Sequence, residues 1–174
     1  MSFSPVPQYS FRELTDISPE FLKKLGIKFL MLDLDNTIAA YSEHSPADSV
    51  SRWSMEIKDS GIELAVVSNS VREGRVEAFA EALKINYIKG ASKPSPKVVV
   101  QKMGESGFTP DNSALVGDQV YTDVLAANRA GVTSIIVYPR RFTNPFLAIR
   151  YVLELPFRAM CRNRIRNSEF GIRN

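Results

Sequence analysis

The sequence of 174 residues contains one cysteine and one histidine. Cys161 has no partner for an intramolecular disulfide, and no cysteine–histidine motif surrounds it, which disfavours a thiol nucleophile. No apolar run approaches the roughly 20 residues that cross a bilayer. The N-terminus also lacks the charged, apolar and small-residue zones of a signal peptide. These absences predict a cytoplasmic protein without a membrane span.

The charged residues are divided unevenly along the chain. Residues 140–174 carry eight arginines against two glutamates, whereas the preceding residues carry 14 basic and 17 acidic side chains. Hydrophobic residues make up 44% of the sequence and charged residues 24%, which is typical of one globular domain. The basic character therefore belongs to the C-terminal extension.

Apolar periodicity predicts the fold class. The stretch KFLMLDL (28–34) is too continuously apolar for a half-exposed strand and predicts one that is buried on both faces. Further strands are predicted in IELAVVS, INYI, SALVGD and TSIIVY, and helices near 47–60, 71–83, 95–106 and 121–130. Strands separated by single helices indicate an α/β fold with a doubly wound, mostly parallel, Rossmann-like sheet covered by helices on both faces.

We divide the chain into an N-terminal arm with a short helix (1–27), an α/β core (28–139) that the residues below assign to catalysis, and a basic C-terminal extension (140–174). In the arm, Ser18 is the predicted N-cap of a helix that ends at Gly26. The extension mixes apolar residues with arginines, a pattern that fits either a helix packed on the core or a segment at an anionic membrane. Pro156 predicts a break in any continuous helix there.

Polar residues follow the predicted strands at the points where those strands end. In open parallel sheets, ligands bind beyond the carboxyl ends of the strands, so these residues are expected to converge. The set is Asp33 and Asp35, Ser68 and Asn69, Gly117 and Asp118, and Lys93 in the loop after the short third strand.

This combination of residue types suits phosphoryl transfer. Asp33 can attack phosphorus while Asp35, two residues on, protonates the departing oxygen and later activates water. Mg²⁺ accepts hard oxygen ligands, which Asp33 and Asp118 can supply, and Asp123 can support the coordination from one helical turn further on.

The remaining polar residues are assigned to the substrate. The Ser68 hydroxyl and the Asn69 amide are expected to hold non-bridging oxygens, while Lys93 compensates the charge of a phosphoaspartate. Thr37 is placed at the substrate or as a residue that steadies the loop. Gly117 would let the backbone pass close to the metal. Trp53 is assigned to the core. His44 is expected in a solvated loop in preference to a substrate contact. Arg72 and Arg75 are expected on a solvated helix face in preference to contact with a polyanionic substrate.

The segments DLDNT, VVSNS, KP and VGDQVYTD resemble, in order, the four motifs of the haloacid dehalogenase-like (HAD) superfamily of aspartate-nucleophile phosphatases. Over about residues 28–138 the sequence is most similar to the YqeG-type class IIIA phosphatases, a group that includes mitochondrial phosphatidylglycerophosphatases. The resemblance implies Mg²⁺, Asp33 as nucleophile and Asp35 as acid/base. It also implies Asp118 and the backbone carbonyl of Asp35 as metal ligands, and phosphatidylglycerophosphate as the best single substrate.

The motif spacing leaves no room for a large cap domain. Only 32 residues separate Asp35 from Ser68, and 24 separate Ser68 from Lys93. We therefore expect an open site that admits a lipid headgroup or a phosphate on a macromolecule, unless an oligomer supplies a lid.

Three other functions fit parts of this pattern. A signalling receiver carries adjacent acidic residues on its first strand, unlike Asp33 and Asp35, and a dehalogenase does not need Asp35. The third alternative is a protein that keeps the site but uses its basic extension to bind RNA, a ribosome-associated partner or a membrane. Nucleic acid is disfavoured as a partner because no RNA-binding motif accompanies the arginines.

Overall fold

The computed structural model describes residues 3–142 and 145–161, and the backbone alone of residues 163–164. Its strands are β1 (Tyr9–Ser10), β2 (Phe29–Leu32), β3 (Glu63–Ser68), β4 (Asn86–Lys89), β5 (Ser113–Gly117), β6 (Thr133–Ile136) and β7 (Asn163–Arg164). Its helices are α1 (Pro19–Lys24), α2 (Asp48–Asp59), α3 (Arg75–Leu83), α4 (Lys97–Glu105), α5 (Leu125–Ala130) and α6 (Pro145–Ala159). A π-helical turn, Val120–Val124, leads into α5.

The strands form one sheet in the order β4-β3-β2-β5-β6-β1-β7, and every neighbouring pair is parallel. The predicted doubly wound α/β fold is confirmed. The segments that join β2 to β3 and β3 to β4 hold only loops, α2 and α3, so residues 36–92 contain no large cap. No large cap from residues 36–92 therefore covers the carboxyl ends of β2, β3 and β5.

The core has two layers, one on each face of the sheet. Leu30 and Leu32 of β2 pack with residues of α1, α2 and α3, whereas Phe29 and Met31 pack with residues of α4 and α5. Successive residues of a strand point to opposite faces, so this alternation shows that β2 is buried on both sides, as its apolar run predicted. Trp53 belongs to the first layer, and its indole nitrogen donates to Ile17 O at 2.7 Å.

The N-terminal arm is more regular than predicted. Ser18 caps α1 as expected, accepting from Phe21 N at 3.2 Å. Before it, however, β1 joins the sheet through pairing with β6. A two-residue strand has too little periodicity to be recognised from sequence, and its hydrogen bonds come from residues more than 120 positions away.

Helix α3 begins at Arg75 rather than at residue 71. Gly74, which precedes it, has φ 71°, a left-handed conformation that cannot continue a helix. Residues 71–74 are consequently a loop beyond the end of β3, close to the expected ligand edge of the sheet.

The predicted helix break at Pro156 is wrong, because α6 continues to Ala159. Pro156 deprives only the Val152 carbonyl of its helical partner, and both residues are exposed, so water can bind that carbonyl. Beyond the proline, Arg158 donates to Val137 O at 3.2 Å and to Asp118 O. These contacts hold the last turn of α6 against the sheet.

The inner side of α6 carries polar groups, contrary to the apolar inner side expected of a packed helix. Leu147, Glu154 and Arg158 are its buried residues, and Arg158 pairs with Glu154 at 3.0 Å. Its outward side is apolar, with Phe146, Ile149, Val152, Leu153 and Leu155 exposed. In the part of the chain that the structure describes, no helix has both the length and the apolar content needed to cross a bilayer.

Candidate active site

The first motif forms a tight buried turn directly after β2. Residues 33–40 are all buried, and the amides of Ile38 and Ala39 both donate to Leu34 O. Asn36 occupies the left-handed region with φ 65°, and its amide donates to Ala39 O at 2.7 Å. This turn brings Asp33 and Asp35 to the carboxyl edge of the sheet with only 5% and 7% of their surfaces exposed.

The two aspartates of this turn have different cationic partners. Asp33 Oδ1 lies 2.6 Å from Lys93 Nζ, whereas Asp35 Oδ1 lies 2.9 Å from Arg75 Nε. The separate partners suit the separate roles predicted for the two carboxylates, which are attack on phosphorus and proton transfer.

Lys93 lies at the centre of the site. Its ammonium contacts Asp33 Oδ1, Asp123 Oδ1 at 2.7 Å and Val67 O at 2.7 Å. The Asn69 side chain fixes the loop that carries Lys93, because it accepts from Lys93 N and donates to Lys93 O, both at 2.9 Å. The sequence predicts that the Asn69 amide binds the substrate. The structure shows a further contact, between the Asn69 side chain and the backbone of Lys93.

The predicted polar residues of β3 and β5 lie at the same edge. Ser68 is buried, and its hydroxyl accepts from Ser70 N at 3.0 Å. Asp118 follows β5 and is 1% exposed, and neither of its carboxylate oxygens has a hydrogen-bond partner among the described residues. Unpartnered buried carboxylate oxygens are costly unless a cation meets them.

Asp33, Asp118 and Asp123 form a cluster that could hold a divalent ion. Each offers an oxygen, and these oxygens lie within 4.8 Å of one another. Lys93 pairs with Asp33 and Asp123, whereas no described residue forms an ion pair with the buried Asp118 carboxylate. The cluster therefore has excess negative charge that hard oxygen-preferring cations match. Asp123 is predicted only to support the coordination, but in the structure it offers an oxygen to the cluster just as Asp33 and Asp118 do.

Gly117 makes room for Asp123 rather than for the metal alone. A β-carbon at Gly117 would overlap the Asp123 carboxyl group. The π-helical turn brings Asp123 back over the end of β5, where its Oδ2 accepts from Gln119 N at 3.1 Å. The glycine and the π turn together therefore define the position of the third carboxylate.

Burial and crowding of like charge shift the protonation of this cluster. Burial, together with the Asp123 charge and against the attraction of Lys93, raises the pKa of Asp33 from 3.8 to about 7. Burial and the charges of Asp123 and Asp33 raise the pKa of Asp118 well above its usual value. Burial opposes the charge of Lys93, but Asp123 and Asp33 outweigh it and raise the pKa of Lys93. Without a cation, the cluster thus favours bound protons.

Arg75 is a site residue that the sequence prediction missed. The sequence favours a solvated helix face over contact with a polyanionic substrate, yet Arg75 is 8% exposed and pairs with Asp35. Its two other nitrogens donate to Ala40 O at 2.9 Å and to Glu43 O. A signal was present, since Arg75 shares the buried stripe of α3 with Phe79 and Leu83 at helical spacing.

Tyr41, the loop residue Arg72 and Arg150 of α6 lie near the carboxylates. Burial and then the charge of Asp35 raise the pKa of the half-buried Tyr41, whereas the charge of Arg150 on α6 lowers it. Arg72 donates to Tyr41 O at 2.6 Å. Arg150 also lowers the pKa of Asp118, which places this arginine within electrostatic reach of the carboxylate cluster.

Two other residues considered in the sequence analysis, Thr37 and His44, form no side-chain hydrogen bond with this cluster in the described structure. Thr37 is 1% exposed, and its hydroxyl has no hydrogen-bond partner among the described residues; it lines a neighbouring cavity. His44 is exposed. The site therefore consists of Asp33, Asp35, Ser68, Lys93, Asp118 and Asp123, with Asn69 and Arg75 holding two of them.

Residues 8–131 match the family model described as haloacid dehalogenase-like hydrolase. The chain belongs to this family. It is 32% identical over 142 residues to the probable phosphatase YqeG of Bacillus subtilis (strain 168), covering 82% of each chain. Family membership confirms the predicted enzyme class, a HAD-type phosphatase.

A second relative and a solved structure extend this HAD likeness. The chain is 27% identical to the Arabidopsis thaliana phosphatidylglycerophosphate phosphatase 1, chloroplastic/mitochondrial; the match covers 86% of this chain but only 45% of the plant protein. The crystal structure of 3-deoxy-D-manno-octulosonate 8-phosphate phosphatase from Yersinia pestis superposes with a TM-score of 0.57 at 18% identity. That match covers 83% of this chain and 75% of the other. At that identity the superposition supports the fold alone.

Proposed function

We propose that the protein hydrolyses a phosphomonoester in a Mg²⁺-dependent reaction that passes through a phosphoaspartate at Asp33. The observation that carries the proposal is the buried set of Asp33, Asp118 and Asp123 around Lys93. Asp33, Asp118 and Asp123, together with the backbone carbonyl of Asp35, would hold the Mg²⁺. A bound Mg²⁺ supplies positive charge that offsets the charge of the phosphoryl group.

In the first step, an Asp33 carboxylate oxygen forms a bond to phosphorus and the ester P–O bond breaks. Asp35 gives its proton to the leaving alcohol oxygen. Lys93, which already contacts Asp33, compensates charge during the attack, and the Ser68 hydroxyl with the Asn69 amide binds the non-bridging oxygens. Arg75 keeps Asp35 beside the reacting group and is therefore a positioning residue.

In the second step, Asp35 takes a proton from water, and the water oxygen attacks phosphorus. The bond between phosphorus and Asp33 breaks, which releases inorganic phosphate and restores both carboxyl groups to their starting states. The different partners of Asp33 and Asp35 support this division between a nucleophile and a proton carrier.

We propose phosphatidylglycerophosphate as the substrate. The similarity to the plant enzyme supports it, and so does the open site, which lacks a large cap in residues 36–92. A phosphate that projects from a lipid surface can reach such a site without a lid closing over it.

The test is phosphate release from phosphatidylglycerophosphate, sugar phosphates, nucleotides and phosphoproteins, with Mg²⁺ or with a chelator. We expect release from the lipid, its loss on chelation, and a fall of at least roughly a thousandfold in Asp33→Asn. His44→Ala, which changes an exposed residue, is the matched control and should retain activity. Undiminished release by Asp33→Asn would refute the nucleophile assignment.

We also propose that the protein is cytoplasmic and makes peripheral contact with the inner face of an anionic membrane. The exposed apolar side of α6 and the net positive charge of residues 140–174 support this contact. Flotation with anionic liposomes should fall in the double variant Ile149→Ser, Leu153→Ser, but not in Met55→Ser, which alters an exposed methionine on α2. Failure of the unaltered protein to float excludes the contact.

A further inference from the structure

A cavity of about 390 Å³ lies beside the catalytic turn, within the size range of small-ligand sites, roughly 300–1,000 Å³. Its lining includes Arg12, which follows β1, and Tyr138 and Arg140, which follow β6. Both strands run parallel to β2, so the cavity occupies the same ligand-binding edge of the sheet as the carboxylate cluster. Thr37 of the catalytic turn lines it as well.

The charge of this cavity is mainly that of arginine. Arg140 lies 3.5 Å from Glu43 Oε1, and the other oxygen of Glu43 accepts from Ala40 N at 2.7 Å, so these two side chains are engaged with the protein. Arg12 and Arg141 form no ion pair with any described residue. Glu13 also lines the cavity, and its backbone amide donates to Asp16 Oδ2 at 3.0 Å, so the lining holds three arginines against two glutamates. Two guanidinium groups are thus left available to an anion.

Thr37 supplies an independent sign of a ligand. Its hydroxyl is buried and has no hydrogen-bond partner in the described chain, a state that is costly unless a ligand or water completes it. The backbone joins this residue to the arginines, since Arg140 N donates to Asn36 O at 3.2 Å. A group bound between Thr37 and the arginines therefore lies next to the turn that carries Asp33 and Asp35.

We propose that this cavity is a second anion subsite, which binds a phosphodiester or a second phosphate on the leaving-group side of the substrate. The proposal rests on the proposed phosphatase function and narrows its substrates to phosphomonoesters that carry another phosphoryl anion nearby. Arginine suits this role because its planar guanidinium donates two parallel hydrogen bonds to phosphate oxygens. The Thr37 hydroxyl would donate a further hydrogen bond to the same group.

The test compares three soluble compounds that share a terminal phosphomonoester. Propyl phosphate has no second anion, 1,3-propanediol bisphosphate has a second free phosphate, and glycerophosphoglycerol phosphate has a phosphodiester, as a lipid headgroup does. The variant is Arg12→Gln combined with Arg141→Gln, both at exposed positions, and the control is Arg52→Gln, an exposed arginine on α2.

For the double variant we expect KM to rise at least about tenfold for the compound that the subsite serves, with kcat nearly unchanged. Propyl phosphate should be unaffected, and so should Arg52→Gln with every compound. A rise for the diester alone indicates a lipid headgroup as the source, and a rise for the bisphosphate alone indicates a soluble substrate. Equal changes for all three compounds, or none, overturn the subsite.

A binding measurement tests the anion subsite independently of the proposed phosphatase activity. Titration calorimetry of 1,3-propanediol bisphosphate and of glycerophosphoglycerol phosphate needs no turnover, and at least one should bind about tenfold more weakly to the double variant. If no compound is hydrolysed but this difference is found, the phosphatase proposal fails and the anion site stands. Equal affinity of both proteins for both compounds overturns the anion site even in an active enzyme.

Discussion

At the scale of single residues, the buried arginine that holds Asp35 distinguishes this site from a simple cluster of acids. Arg75 uses three nitrogens for three acceptors, which are Asp35 Oδ1 and the carbonyls of Ala40 and Glu43. A lysine in its place has a single charged nitrogen and no planar fork. The arginine therefore fixes both the proposed acid and the segment that follows the catalytic turn.

Arg75→Ala should destabilise the protein by about 3 kcal/mol, because it leaves the Asp35 carboxylate and two carbonyls buried without their donor. Urea unfolding measures this loss. Arg72→Ala is the matched control: this exposed neighbour also contacts the segment after the turn, through Tyr41 O, and should cost below about 1 kcal/mol. Equal losses in the two variants would show that Arg75 is not a special anchor.

Gly117→Ala tests the packing of the third carboxylate. The added methyl group would overlap the Asp123 carboxyl group and displace it from Asp33 and Asp118. We expect Mg²⁺ affinity, measured by calorimetry, to fall about tenfold or more. Gly104→Ala is the control, because no atom lies within 4 Å of its added β-carbon; as a helix position it should gain about 0.5–1 kcal/mol and keep its affinity. Unchanged affinity in Gly117→Ala would mean that Asp123 is dispensable.

At the scale of secondary-structure elements, the sequence correctly predicted the features that depend on the local pattern of residues. The buried run of β2 and the Ser18 cap of α1 follow from side-chain periodicity and capping chemistry, and both are confirmed. The convergence of Asp33, Lys93 and Asp118 follows from the rule that ligands bind at the carboxyl ends of parallel strands.

The errors occurred where distant contacts decide the local structure. β1 forms because β6 offers its edge, and α6 passes Pro156 because Arg158 bonds to carbonyls of residues 118 and 137. Arg75 was expected on a solvated helix face because charged side chains are usually exposed to solvent. Its hydrogen-bond partners lie 32 to 40 residues away in the sequence. A short stretch of sequence around Arg75 does not contain those partners.

Pro156→Ala tests how much the proline destabilises α6. The alanine restores an amide donor to the Val152 carbonyl and removes the proline ring from the helix. We expect stability to rise by up to about 3 kcal/mol in urea unfolding, with the activity unchanged. A loss of stability would show instead that the proline fits α6 as it stands.

At the scale of the whole molecule, the carboxylate cluster links stability to pH and to the metal. Burial raises the pKa of Asp33 from 3.8 to about 7 in the folded chain, so the folded state keeps a proton that the unfolded state releases near pH 4. Stability in the absence of metal therefore falls as the pH rises from about 4 to about 7. The raised pKa of Asp118 acts in the same direction.

We therefore expect thermal unfolding in a chelator to occur at a lower temperature at pH 8 than at pH 5.5. Mg²⁺ binds the ionised carboxylates of the folded state, so it should raise the unfolding temperature strongly at pH 8 and weakly at pH 5.5, where protons compete for the same oxygens. Asp118→Asn removes one of the charges, and this variant should be less sensitive both to pH and to Mg²⁺. An equal effect of Mg²⁺ at the two pH values would show that the ion binds away from Asp33 and Asp118, and the carboxylate cluster would then lose its place as the metal site.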